Sequence, residues 1–124
     1  MNIQITNDGT VPIYEQIARQ IKGMVLNGTL KEGDALPSMR LLAKELKISV
    51  ITTKRAYEEL ERDGFIVSMT GKGSFVAGTD TELLKEARQK ELEQTMEELV
   101  AQGKELGLSL EELMELMTII YRGE

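Results

Sequence analysis

The sequence predicts a mainly α chain with a small β-hairpin, a winged helix-turn-helix domain followed by a two-helix C-terminal dimerisation tail. Three observations carry this. Apolar residues recur at helical steps in five separate stretches, two β-prone runs flank Thr70-Gly71-Lys72-Gly73, and composition changes abruptly at Gly78. Both prolines and most glycines lie before that point; beyond it Glu, Leu and Met dominate. Charge divides at the same place. Residues 1–78 carry ten basic and nine acidic side chains, net +1, while 79–124 carry five and twelve, net -7. The expected organisation is therefore a domain over 1–78 and a helical tail over 79–124, with the boundary near Gly78-Thr79-Asp80.

Taken in order, Pro12 suits the start of a first helix, because its missing N–H would be unpaired there anyway. Ile13, Tyr14, Ile17, Ile21, Met24 and Val25 form one apolar stripe, and Asn27-Gly28 supplies a stop. The turn-rich stretch from Leu30 to Pro37 has room for one very short strand. Ser38 caps a second helix bearing Leu41, Leu42, Ala43 and Leu46, and after the tight Lys47-Ile48 link Ser49 caps a third. Thr53, Ala56, Tyr57 and Leu60 share one face of that helix, which Asp63-Gly64 ends. Phe65–Met69 and Ser74–Ala77 read as the two arms of a hairpin. In the tail, Leu83, Leu84, Ala87, Leu92, Met96, Leu99 and Val100 recur near a roughly 3.5-residue step, predicting a helix from about Asp80 to Gln102 that Gly103 and Gly107 break. Ser109-Leu110-Glu111-Glu112 is a capping-box pattern opening a last helix.

The composition excludes much chemistry. With no Cys and no His among 124 residues, there is no thiolate or imidazole metal site, no disulfide, no Cys nucleophile and no Ser-His-Asp triad. The chain is expected to be no enzyme, with no metal and no cofactor. Gly71-Lys72-Gly73 is no nucleotide loop either, since GxxxxGK[ST] needs Gly at Ile66 and Ser or Thr at Gly73. The opening MNIQITNDGT has neither a charged n-region nor an apolar h-region, and no apolar run nears the roughly 20 residues that span a bilayer. A cytoplasmic location without membrane attachment is expected. Overall acidity argues against a polyanion partner, but the charge split confines that argument to the tail.

The order helix, short strand, helix, helix, hairpin is that of the winged helix-turn-helix, whose recognition helix enters the major groove. The stretches Leu36-Pro37-Ser38-Met39-Arg40-Leu41-Leu42-Ala43, Thr53 to Ile66, and Gly71-Lys72-Gly73-Ser74-Phe75-Val76 closely resemble the GntR family of bacterial transcription regulators. Pro12-Ile13-Tyr14-Glu15-Gln16-Ile17 and the short acidic tail look like its YtrA subfamily. The resemblance implies DNA contact by Arg40 at the start of the second helix and by the wing tip Gly71-Lys72-Gly73.

The residues themselves point the same way. Val50, Thr52, Lys54 and Arg55 lie in the first turns of the third helix, off its core face, while Glu58, Glu59 and Glu61 follow later. A helix entering N-terminus first brings its dipole, hydroxyls and cations to DNA and keeps its carboxylates out. Lys54 or Arg55 suits guanine or phosphate, and Thr52 a base edge or thymine methyl. Val50 departs from the polar or basic residue frequent in the family; it can meet a thymine methyl but cannot hydrogen-bond a base. Ser38 serves as cap and phosphate donor together. The bland alternative has Lys54 and Arg55 merely pairing with Glu58 and Glu59 along the helix.

Two tail helices are too small for an independent core, so a partner is expected. Leu92, Met96, Leu99, Leu113, Leu116, Met117 and Ile120 are the candidate dimer residues. The expected function is a homodimeric, sequence-specific repressor of transcription on an inverted-repeat operator in double-stranded DNA. The resemblance adds control of an adjacent transporter operon and an unidentified small-molecule effector. The alternative is a helical dimeric protein-interaction module without specific DNA binding.

Overall fold

Among the described residues, three of the five helices begin at a serine whose hydroxyl accepts a backbone N–H that the helix cannot satisfy: Ser38 from Leu41, Ser49 from Thr52, and Ser109 from Glu112. The computed structural model describes residues 1–78 and 81–123, and every side chain among them except those of Thr81 and Leu83. Along the chain run α1 (Ile13–Leu26), α2 (Met39–Leu46), α3 (Val50–Arg62), β1 (Ile66–Met69), β2 (Gly73–Val76), α4 (Thr81–Glu105) and α5 (Leu110–Arg122). They form two compact units, Met1–Leu84 and Lys85–Glu124. The expected boundary residues Thr79 and Asp80 lie outside the described set.

In the first unit the apolar stripe of α1 packs on α3, and α3 packs on α2. The centre holds Ile17, Ile21, Leu42, Ala56, Tyr57, Leu60, Phe65, Ile66 and Val76. The hairpin is antiparallel, with Ile66 opposite Val76 and Met69 opposite Gly73. The short strand foreseen before α2 is present as a single bridge of Ala35 to Phe75, reinforced by Leu36 N–H donating to Ser74 O and Val76 N–H to Asp34 O, both at 2.9 Å. Lys47 takes φ 57°, a left-handed C-cap that turns the chain sharply between α2 and α3.

Two features go beyond the sequence expectations. The N-terminal segment is fastened to α1: Gln4 N–H donates to Gln20 Oε1 at 2.9 Å, Thr6 N–H to Gln16 Oε1 at 2.9 Å, and Ile3 is buried in the core. Lys22 lies in the middle of the α1 stripe with its side chain only 8% exposed, and its ammonium meets Asp63 Oδ2 at 2.7 Å just after α3. Burial pushes the Asp63 carboxyl up, but the hydrogen bond and charge of Lys22, with Arg62 adding, outweigh it and hold the group below its ordinary value.

The second unit corrects one expectation. Gly103 does not break the tail helix; α4 continues to Glu105. Gly103 is buried, and a methyl group added there would come within 2.8 Å of Leu113 Cδ2, so the glycine is where α5 packs closely on α4. Gly107, with φ 76°, makes the turn between them. Ser109 and Glu112 complete a reciprocal capping box at the start of α5.

Candidate nucleic-acid interface

Three chain segments of the first unit bear the nine residues the sequence marks for DNA contact, and named bonds fix those segments to one another. Tyr57, buried in α3, donates its hydroxyl hydrogen to Pro37 O at 2.7 Å. Burial first, and the charge of Glu45 second, push its pKa far up, so the phenol stays a donor. The Thr53 hydroxyl lies 2.8 Å from Val50 O and 3.0 Å from Met39 O, so its proton serves one carbonyl or the other. Those contacts lock the start of α2, with Ser38 and Arg40, against the first turns of α3. The bond from Leu36 to Ser74 ties the hairpin to the same place.

At the start of α2, the Ser38 hydroxyl is engaged as the helix cap, accepting from Leu41 N–H at 3.1 Å. Arg40 is exposed and makes no ion pair among the described residues. On α3, Val50 is 43% and Ile51 79% exposed. Thr52 is half-buried, with its N–H donated to Ser49 Oγ and its hydroxyl 2.8 Å from the same oxygen. Lys54 reaches Glu58 Oε1 only at 4.0 Å, with both side chains exposed, an arrangement worth a few tenths of a kcal/mol at about 0.3–0.5. Arg55 behaves differently from the bland alternative. Its guanidinium lies 4.0 Å over the ring of Tyr14 on α1, at a cleft also lined by Glu58, Glu59 and Arg62.

The wing tip is a tight turn closed by Lys72 N–H donating to Met69 O at 2.9 Å. Gly71 takes φ 76°, which a side chain would strain, and the turn leaves Lys72 exposed without an ion pair among the described residues. Charge on α3 is polarised as expected. No acidic residue occupies its first turn, and its carboxylates come later.

The tail candidates belong to the second unit. Leu92, Met96, Leu99, Leu116, Met117 and Ile120 are all exposed, whereas Leu113 is half-buried against Gly103 of the same chain. Sequence reasoning missed Ile51 and the role of Tyr14. The first had a signal, since at ~100° per residue Ile51 falls opposite the Thr53, Ala56, Tyr57 and Leu60 face. The second had none, because Tyr14 also fits the α1 stripe. Among the described residues no acidic cluster is arranged to hold a metal ion, and no helix is long and apolar enough to cross a membrane.

The profile of bacterial regulatory proteins of the gntR family matches residues 13–76. The HTH-type transcriptional repressor YtrA of Bacillus subtilis (strain 168) is 36% identical over 113 residues, covering 91% of this chain and 87% of the relative. Among solved structures, a transcriptional antiterminator from Listeria monocytogenes EGD-e superimposes with a TM-score of 0.79 at 31% identity, covering 98% of this chain and 90% of that one. YtrA from Sulfolobus acidocaldarius, a GntR-family transcription factor, gives a TM-score of 0.59 at 36% identity over 73% of this chain and 96% of that one.

Proposed function

The chain belongs to the gntR family of bacterial regulatory proteins, which are DNA-binding transcription regulators and not enzymes, and on that premise we propose that it is a homodimeric, sequence-specific repressor acting on an inverted-repeat operator. The observation that carries the proposal is the bonded frame of the first unit. Tyr57 to Pro37, Thr53 beside Met39, and Leu36 to Ser74 hold the α2 start, the α3 start and the wing together. DNA recognition needs such preorganisation, because side chains reading one groove must arrive in register.

In this reading α3 enters the major groove with Val50, Thr52 and Lys54 leading. Arg40, Lys54 and Lys72 neutralise phosphates. Arg55 stays stacked on Tyr14 and offers the in-plane N–H groups of its guanidinium to the backbone. Ser38 and the amides around Gly71-Lys72-Gly73 add hydrogen bonds to phosphate oxygens. Leu92, Met96, Leu99, Leu116, Met117 and Ile120 supply the dimer seam, while Leu113 shapes it from behind. Two-fold pairing places half-sites about one helical turn apart, or a multiple of it. Repression then works by occlusion of the promoter. An adjacent transporter operon as target, and release by a small-molecule effector, complete the proposal as what the resemblance of the sequence to the YtrA subfamily implies.

A mobility-shift assay of the full chain with genomic fragments at moderate salt tests this. One or a few fragments are expected to shift saturably and to resist excess non-specific competitor. A folded chain that binds no fragment more tightly than the competitor contradicts the proposal.

A further inference from the structure

We infer that the recognition turn of this chain selects thymine by contact of Val50 and Ile51 with C5 methyl groups, and does not select guanine through an arginine. The inference rests on the DNA-binding reading above and goes beyond it in naming what the first turn of α3 reads.

Val50 and Ile51 are the first two residues of α3, immediately after the Ser49 cap. They are 43% and 79% exposed, and neither is a buried residue of the hydrophobic core. A single exposed isoleucine on a protein surface needs no explanation. Two adjacent branched apolar side chains at the tip of the helix that this fold inserts into the major groove are a different matter, since that is where base edges are met. Ile51 points away from the buried face made by Thr53, Ala56, Tyr57 and Leu60, so it leads the helix outward.

The groups able to hydrogen-bond a base nearby are largely committed. The hydroxyl and N–H of Thr52 both engage Ser49 Oγ. The guanidinium carbon of Arg55 lies 4.0 Å from the centroid of the Tyr14 ring, which draws the group toward α1 and into a cleft shared with Glu58 and Glu59. A bidentate contact to guanine O6 and N7 requires that fork to project end-on into the groove. What the first turn presents freely is hydrocarbon. In the major groove the apolar group on a base edge is the thymine methyl, and it is the chemical match. Arg40, Lys54 and Lys72 meanwhile supply sequence-independent attraction to phosphate.

The test uses the full chain and the tightest-binding duplex selected from a randomised pool. That duplex is synthesised with each thymine replaced in turn by deoxyuridine, which removes the methyl and nothing else. At one or two positions per half-site the affinity is expected to fall about fourfold for each methyl lost, with no change elsewhere. Ile51→Ala and Val50→Ala are each expected to bind the same duplex and to lose the sensitivity at one of those positions. Both sites are exposed, and thermal melts equal to wild type confirm that the variants fold. An enriched duplex at which every deoxyuridine is neutral overturns the inference and leaves the DNA-binding reading intact. So do alanine variants that keep the wild-type pattern of methyl sensitivity. A selection that enriches no sequence overturns the DNA-binding reading, and the inference with it.

Discussion

The two units of this chain solve opposite problems. Met1–Leu84 encloses its own core: Ile17, Ile21, Leu60 and Ala56 are fully buried, and Tyr57 nearly so. In Lys85–Glu124, among the described residues, Gly103 alone is buried, while Leu92, Met96, Leu116, Met117 and Ile120 stand exposed. Stability in the first unit is internal. In the second, α5 opens on a capping box and packs on α4 at Gly103, while apolar side chains of both helices stand exposed. On the proposed function, a unit that holds three DNA-facing segments in register needs a private core, and a unit that pairs with a second copy needs its hydrophobic side chains free.

Breaking the comparison from the tail side has the largest expected effect. Leu116→Glu puts a charge in the proposed seam, so the sedimentation mass is expected to fall to that of one chain. Operator affinity should drop by about 10²–10⁴-fold as the two recognition helices lose their linkage. Circular dichroism of the winged unit should not change. An unchanged mass removes α5 from the seam.

From the core side, Leu60→Ala should lower unfolding free energy in urea by about 2–5 kcal/mol, because the side chain is fully buried and its cavity cannot collapse completely. Self-association of the tail is expected to survive at denaturant concentrations below the transition. Loss of both together refutes the separation of roles.

The smallest effect sharpens the comparison through pH. Asp63→Asn strands the Lys22 ammonium in a site where its side chain is 8% exposed, at a cost of about 1–3 kcal/mol near neutrality. The folded-state pKa of Asp63 lies below its ordinary value. The carboxylate therefore contributes fully above the unfolded pKa of about 3.9 and loses its contribution as pH falls through the folded value. Denaturation curves of wild type and variant should converge in acid. A gap that stays constant down to pH 2, roughly two units under that unfolded value, contradicts the ion-pair account.

Much of this was legible in the residues. Ser38, Ser49 and Ser109 announced their helices because capping is local chemistry, and the glycines of the wing announced a turn for the same reason. What sequence order could not show are contacts between distant positions. Lys22 sits in an apolar stripe because Asp63, far along the chain, neutralises it. Gly103 stays helical because Leu113 fills the space its missing side chain leaves. Gln16 and Gln20 looked like solvated helix positions until Thr6 and Gln4 met them. At the candidate interface, the cations were visible as types, but the stack of Arg55 on Tyr14 depended on how α1 crosses α3.

The central claim is that one unit reads DNA and the other doubles it, and hydroxyl-radical footprinting of the full chain on its selected duplex tests it most directly. Two protected segments related by a two-fold axis, with centres about one helical turn apart or a multiple of it, are predicted. A single asymmetric protected segment from a folded chain at saturation contradicts it.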